Sequence, residues 1–169
     1  MEASAKHFLD VPRVTIRRLL EDFRDTVEAE AVGSFWESRA KGKLKKRPEQ
    51  LGQEILAVFA SAKLSNRGAV IREAVSGTGY VDVLLTFSSG LLHVVELKML
   101  KGGALPGPAQ LSTYMKHKHR NEGWLVFFDV RKGNLKKPIP QIIKRRSGII
   151  RTILIDVNPI APSKRKEAA

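Results

Sequence analysis

The stretch Gly123-Trp-Leu-Val-Phe-Phe-Asp-Val130 constrains the fold more than any other part of the chain. A strand with one face in water alternates apolar and polar residues, and this run does not. It reads as a strand buried on both faces, so its sheet needs a covering layer on each side. Ahead of it lie three short runs rich in β-branched residues, Ala69–Val75, Tyr80–Phe87 and Leu91–Lys98, separated by Gly-containing turns. The short turn Ser88-Ser89-Gly90 predicts that the second and third form an antiparallel hairpin.

Helical spacing supplies the covering layers. Within residues 10–40, Val14, Leu19, Leu20, Phe23 and Val27 recur as in an amphipathic helix, and Pro12 sits where a helix start tolerates it. Pro48 opens a second helix over 48–63, on which Leu51, Ile55, Val58, Phe59 and Ala62 share a face. Gly102, Gly103, Pro106, Gly107 and Pro108 mark a loop, and Ala109–Arg120 follows as a helix. Residues 131–148 are basic and irregular, with a short helix around Gln141–Lys144, and Ile149–Val157 is the last strand. The expectation is an α/β protein, one domain over 1–158. Its N-terminal helical part covers 10–63 and its sheet core 69–157. A mixed central sheet, antiparallel hairpin plus parallel crossover, is flanked by helices. Residues 159–169 are expected to be a basic, disordered tail, whose Lys-Arg-Lys reads as solvated rather than as an address.

Charge narrows the partner. Thirty Lys and Arg stand against seventeen Asp and Glu, a formal net charge of +13. That excess suits a polyanion, either nucleic acid or an anionic membrane surface. No apolar run approaches the roughly 20 residues that span a bilayer. The basic residues are not gathered on one amphipathic helix, so nucleic acid is preferred over membrane. Cysteine is absent, which excludes disulfides and thiolate metal sites, and a cytoplasmic, intracellular location is expected. His117 and His119, two apart on a helix, do not share a face, so a zinc pair is not expected.

The residues that carry chemistry interrupt apolar strands. In Val94-Val-Glu-Leu-Lys98, Glu96 and Lys98 share a strand face, with Leu97 and His93 on the other. A Glu-x-Lys step alone is commonplace, an ion pair at a strand end. Asp82, inside Tyr80-Val-Asp-Val-Leu-Leu85, changes the weighing. Folding the hairpin about residues 88–90 sets Asp82 and Glu96 at comparable heights on neighbouring strands. Two adjacent carboxylates repel unless a cation lies between them. Mg²⁺ suits that arrangement, since it takes oxygen ligands and needs only one or two carboxylates besides waters and substrate phosphate.

Gly77-Thr-Gly-Tyr-Val-Asp82, followed by Val-Val-Glu96-Leu-Lys98, resembles the PD-(D/E)xK nuclease superfamily, whose fold is restriction-endonuclease-like. Val81 stands where members usually have Pro. Pro108-Ala-Gln110-Leu-Ser-Thr-Tyr114 resembles the helix after the Glu-x-Lys strand, and 123–131 the next core strand, so the resemblance covers roughly 47–131. It implies an Mg²⁺-dependent nuclease hydrolysing DNA phosphodiesters, with Mn²⁺ able to substitute and a metal-bound water as nucleophile. The implied catalytic residues are Asp82, Glu96, Lys98 and Gln110. The implied metal ligands are Asp82, Glu96, the Leu97 carbonyl and either Glu49 or Glu54. Position at the helix start favours Glu49, and helix-face geometry favours Glu54. Sequence-independent backbone contacts are expected from Lys43, Lys45, Lys46 and Arg47, from Lys101, from Lys116, Lys118 and Arg120, and from Arg131 and Lys132. A homodimer or a larger defence or recombination complex fits the resemblance. The competing reading is a non-catalytic nucleic-acid-binding or assembly module that keeps the nuclease fold.

Overall fold

The computed structural model describes residues 15–76, 79–87, 89–133 and 136–159. Pro12, Val14, Gly77, Thr78, Ser88 and residues 160–169 of the expected tail lie outside the described residues.

Helix α1 spans Ile16–Thr26 and starts at Thr15, whose hydroxyl accepts the Arg18 N–H at 3.2 Å. That bond satisfies one of the donors a helix start leaves open. A π-helical turn, Val27–Ala31, and a 3₁₀ turn, Val32–Phe35, continue it into a small antiparallel pair. Strand β1 is Trp36–Ser38 and β2 is Lys43–Leu44, within the basic segment 41–47. Helix α2, Pro48–Leu64, carries Pro at its start as expected. Then come β3 (Gly68–Ser76), β4 (Gly79–Phe87), β5 (Leu92–Leu100), α3 (Pro108–His117), β6 (Glu122–Asp129), β7 (Ile142–Arg145) and β8 (Gly148–Asp156).

The main sheet has six strands in the order β3-β4-β5-β6-β8-β7. Pairings β3–β4, β4–β5 and β7–β8 are antiparallel, while β5–β6 and β6–β8 are parallel. The protein is α/β with a mixed central sheet flanked by helices. Strand β6 lies in the middle and is buried from Gly123 to Asp129, as its unbroken apolarity requires. One side of the sheet is covered by α1 and α2, where Phe23, Leu56, Val95, Leu97, Trp124 and Phe128 pack together. Helix α3 covers the other side, with Leu111, Tyr114 and Met115 against Leu84, Val94, Leu125 and Phe127.

Two expectations need correcting. Residues 142–145 form strand β7 and not a short helix: their backbone pairs with β8 across the tight Arg146-Ser147 turn. A run of four residues is too short to sustain helical hydrogen bonding, whereas a neighbouring strand satisfies it at once. On α2, the buried stripe is Gly52, Leu56, Ala60 and Leu64. Leu51, Ile55 and Phe59 are only partly buried, and Val58 is 73% exposed. The helix turns its small residues to the sheet because they permit close approach. A Cβ on Gly52 would lie 2.3 Å from the Phe128 ring, so a side chain there would push the helix away.

Candidate active site

Strands β4 and β5 pair from Val83↔Val95 to Thr86↔Leu92, and there the ladder stops. The same register sets Asp82 opposite Glu96, one step beyond the last pair. From that point the free edge of β5 is occupied by carboxylates instead of backbone. Asp82 Oδ2 accepts the Leu97 N–H at 2.8 Å, and Glu49 Oε1 accepts the Met99 N–H at 2.9 Å. Glu49 reaches this edge because the glycine one turn later lets the start of α2 lie against β6. The Leu97 carbonyl leaves β5 on the same edge as its N–H, beside Asp82.

Glu96 is fully buried. Lys98 Nζ lies 2.8 Å from its Oε1, a close ion pair, and the Asp82 backbone N–H also favours its charged form. Burying a carboxylate is costly even with such partners. Burial pushes the Glu96 carboxyl up to about 7, with the Asp82 charge adding to the rise and Lys98 opposing it. Asp82 is raised too: burial lifts it, the Leu97 N–H and Lys98 pull it back, and the charges of Glu49 and Glu73 lift it further. For Lys98, burial works against the charged form, but the contact with Glu96 and the charges of Asp82 and Glu49 outweigh it, so its pKa is raised. Lys98 is therefore an ammonium at neutral pH.

The stem of Lys98 passes close to Gly107, in the Gly/Pro-rich loop before α3. Gly107 has φ +97, and a Cβ there would lie 3.2 Å from Lys98 Cγ and 3.0 Å from Leu125 Cδ1. Glycine is needed both for the backbone angle and for the space. Its position between Pro106 and Pro108, at the start of α3, was the available signal.

The other candidates divide. Glu54 engages Gln50 (3.4 Å) and Arg72 (3.6 Å), and no described contact joins it to Asp82 or Glu96. Gln110 is exposed and donates to the Tyr114 hydroxyl at 2.8 Å, with no described contact to Glu96 or Lys98. Arg131 cannot serve as a surface contact. It is 3% exposed, holds Asp129 through Nε (2.9 Å) and Nη2 (3.0 Å), and donates through Nη1 to the Lys137 carbonyl. An acid two residues before an arginine at a strand end was the sign of such a clamp. Lys43 is paired with Glu37 at 2.9 Å. Lys45, Lys46, Arg47, Lys101, Lys116 and Lys132 are exposed, while Lys118 and Arg120 are half-buried. Lys132 Nζ lies within 3.5 Å of a Cβ built on Gly42, so the basic segment 41–47 and the segment after β6 meet. His93 stacks edge-on against Phe87 at 5.2 Å, and burial lowers its pKa.

Among the described residues no three His, Cys, Asp or Glu side chains converge as a ready metal cage. Asp82, Glu96 and the Leu97 carbonyl are nevertheless a hard-oxygen set, and a buried Glu96 carboxylate facing a second carboxylate is what a divalent cation would satisfy.

The chain belongs to the DUF8371 family, a domain of unknown function, whose model matches residues 13–132. No curated protein matches the sequence. Among solved structures, Pyrococcus furiosus SfsA in complex with Ca²⁺ is similar at 16% identity and a TM-score of 0.34, over 56% of this chain and 50% of that one. The chain thus spans about half the length of that protein. None of the helices described is long and apolar enough to cross a membrane.

Proposed function

We propose that this protein is a metal-dependent nuclease of the PD-(D/E)xK type that hydrolyses DNA phosphodiesters. One observation carries the reading: a fully buried Glu96 carboxylate, opposite Asp82 and ion-paired with Lys98, where two strands part. Nothing in packing requires three charged groups there. Asp82, Glu96 and the Leu97 carbonyl would hold Mg²⁺ or Mn²⁺. When bound, the ion supplies charge neutralisation at the phosphoryl oxygens and lowers the pKa of water. Glu49, anchored on Met99 N–H, keeps the β5 edge open and adds negative charge beside the site. Lys98, protonated at neutral pH, stabilises the charge that develops on the phosphoryl group. The exposed Lys45, Lys46, Arg47, Lys101 and Lys132 belong to segments that start α2 or follow β5 and β6, and they are suited to hold the strand's backbone.

The test is cleavage of linear, single-stranded, supercoiled and branched DNA, and of RNA, in Mg²⁺, Mn²⁺ or EDTA. Asp82→Asn, Glu96→Gln and Lys98→Ala should each abolish metal-dependent cutting while the proteins stay folded. Full activity of Glu96→Gln would overturn the assignment. Glu49→Gln should slow cutting, whereas Glu54→Gln should leave it unchanged. The competing reading, a binding module without turnover, draws on the lack of a three-acid cage among the described residues. It would prevail if DNA bound and neither metal supported cleavage.

A further inference from the structure

A second charged site lies between the end of α3 and the β7–β8 turn. A cleft of about 700 Å³ is lined by Lys116, His119, Arg120 and Arg146, and no acid lines it. Its walls are built. Ser112 on α3 and Ser147 in the turn are hydrogen-bonded to each other across the cleft. Ile149 N–H, just beyond the turn, donates to the Asn121 carbonyl at 2.8 Å. Helix α3 closes with Arg120 N–H on Met115 O (2.8 Å) and His119 N–H on Lys116 O (3.1 Å). That double bond pattern places the residue after the helix in the left-handed region, and His119 has φ +51 where glycine is usual. The unusual residue contributes a ring to the cleft.

Among the described residues no acid lines the cleft to neutralise these cations. Arg120 Nε is buried and has no hydrogen-bond partner among the described residues. The nearest acid in sequence, Glu122, is engaged by Arg151 at 2.8 Å. Converging like charges without a counter-charge are unfavourable unless an anion joins them. Guanidinium donors and paired hydroxyls match the oxygens of a phosphoryl group.

We propose that this cleft binds a phosphoryl group, carried either by a free nucleotide or by a nucleic-acid strand. Its lining comes from α3, the residues just after it and the β7–β8 turn, and includes none of Asp82, Glu96 or Lys98, so it stands whether or not the chain is a nuclease.

The experiment titrates inorganic phosphate into the metal-free protein in EDTA, with sodium chloride at matched ionic strength, and follows thermal stability and binding heat. Phosphate should give a saturable response that chloride does not. Arg146→Gln, exposed and free of structural hydrogen bonds among those described, should weaken it about tenfold, which corresponds to about 1.4 kcal/mol. Arg120→Gln should do the same if it folds. Glu96→Gln should retain the full response. Loss of binding in Glu96→Gln, or wild-type binding by Arg146→Gln, would overturn the proposal, as would a response no greater than that to chloride. The same titration with a nucleoside 5′-monophosphate and with 5′-phosphorylated and 5′-hydroxyl oligonucleotides identifies the source. Preference for the phosphorylated oligonucleotide marks a strand end, equal binding of both marks backbone phosphate, and tightest binding of the monophosphate marks a free nucleotide.

Discussion

Glu96 shows how much one residue's surroundings can alter its chemistry. Burial pushes its carboxyl up to about 7 in the folded chain from an ordinary 4.5, so between those limits the folded state holds a proton that the unfolded chain releases. Stability of the metal-free protein is therefore full below about pH 4.5 and falls as pH rises through about 7, by roughly 3 kcal/mol if Glu96 acted alone. Asp82, raised in the same direction, adds to the slope. Denaturant unfolding in EDTA between pH 4 and 8 measures it. Glu96→Gln should flatten the curve and be the more stable protein at pH 8, and an unchanged slope would show that the carboxyl is not perturbed. Arg131 makes the opposite case. Its charge is matched by Asp129 inside the fold, so Arg131→Ala leaves a buried carboxylate alone and should cost about 3 kcal/mol of stability. The same change should leave DNA affinity per folded molecule unaltered.

The loop that starts α3 matters for where Lys98 is aimed. Gly107→Ala forces an alanine to φ +97 and inserts a methyl within 3.2 Å of the Lys98 stem. A loss of about 1–3 kcal/mol is expected from strain and crowding. For the proposed nuclease, turnover should fall further than that stability loss explains, because the ammonium is displaced while Asp82 and Glu96 stay put. Comparing kcat with the unfolding midpoint decides it: equal fractional losses would mean that the loop serves only the fold. The parted end of the β4–β5 pair is the corresponding feature of the strands. Its unpaired N–H groups, at Leu97 and Met99, are met by Asp82 and Glu49, so the edge is satisfied without a strand there.

Over the whole molecule the excess of thirteen positive charges should make duplex DNA binding strongly salt-dependent. Each phosphate neutralised contributes a slope of about −0.9 in log K against log[salt]. Charge-neutral replacement of Lys45, Lys46, Lys101 or Lys132 should each lower that slope by up to about one unit. Lys43 and Lys136 should contribute less, since Glu37 and Asp156 already neutralise them at 2.9 and 3.0 Å. Filter binding or fluorescence anisotropy across a salt series reads the slopes, and a flat response would argue against a polyanionic partner.

The apolar run 123–130 determined that a strand is buried on both faces, because no surface position tolerates that many adjacent apolar side chains. The two strand-period runs about 88–90 determined a hairpin, and with it the register that sets Asp82 opposite Glu96. Local pattern was sufficient for these because strand faces and turn lengths are properties of neighbouring residues. The rotation of α2 was not local: Val58 and Leu56 are similarly apolar, and the contact of Gly52 with Phe128 decided which faces the sheet. Neither was the choice between Glu49 and Glu54, five residues apart, since only the approach of α2 to β5 brings one of them to Met99 N–H. Arg131 looked like a surface cation until Asp129 and the Lys137 carbonyl enclosed it. The cleft between α3 and the β7–β8 turn joins residues about 30 positions apart in sequence, and it exists only because β7 is a strand. Such long-range choices are settled by which surfaces can pack most closely, and spacing along the chain carries no record of that.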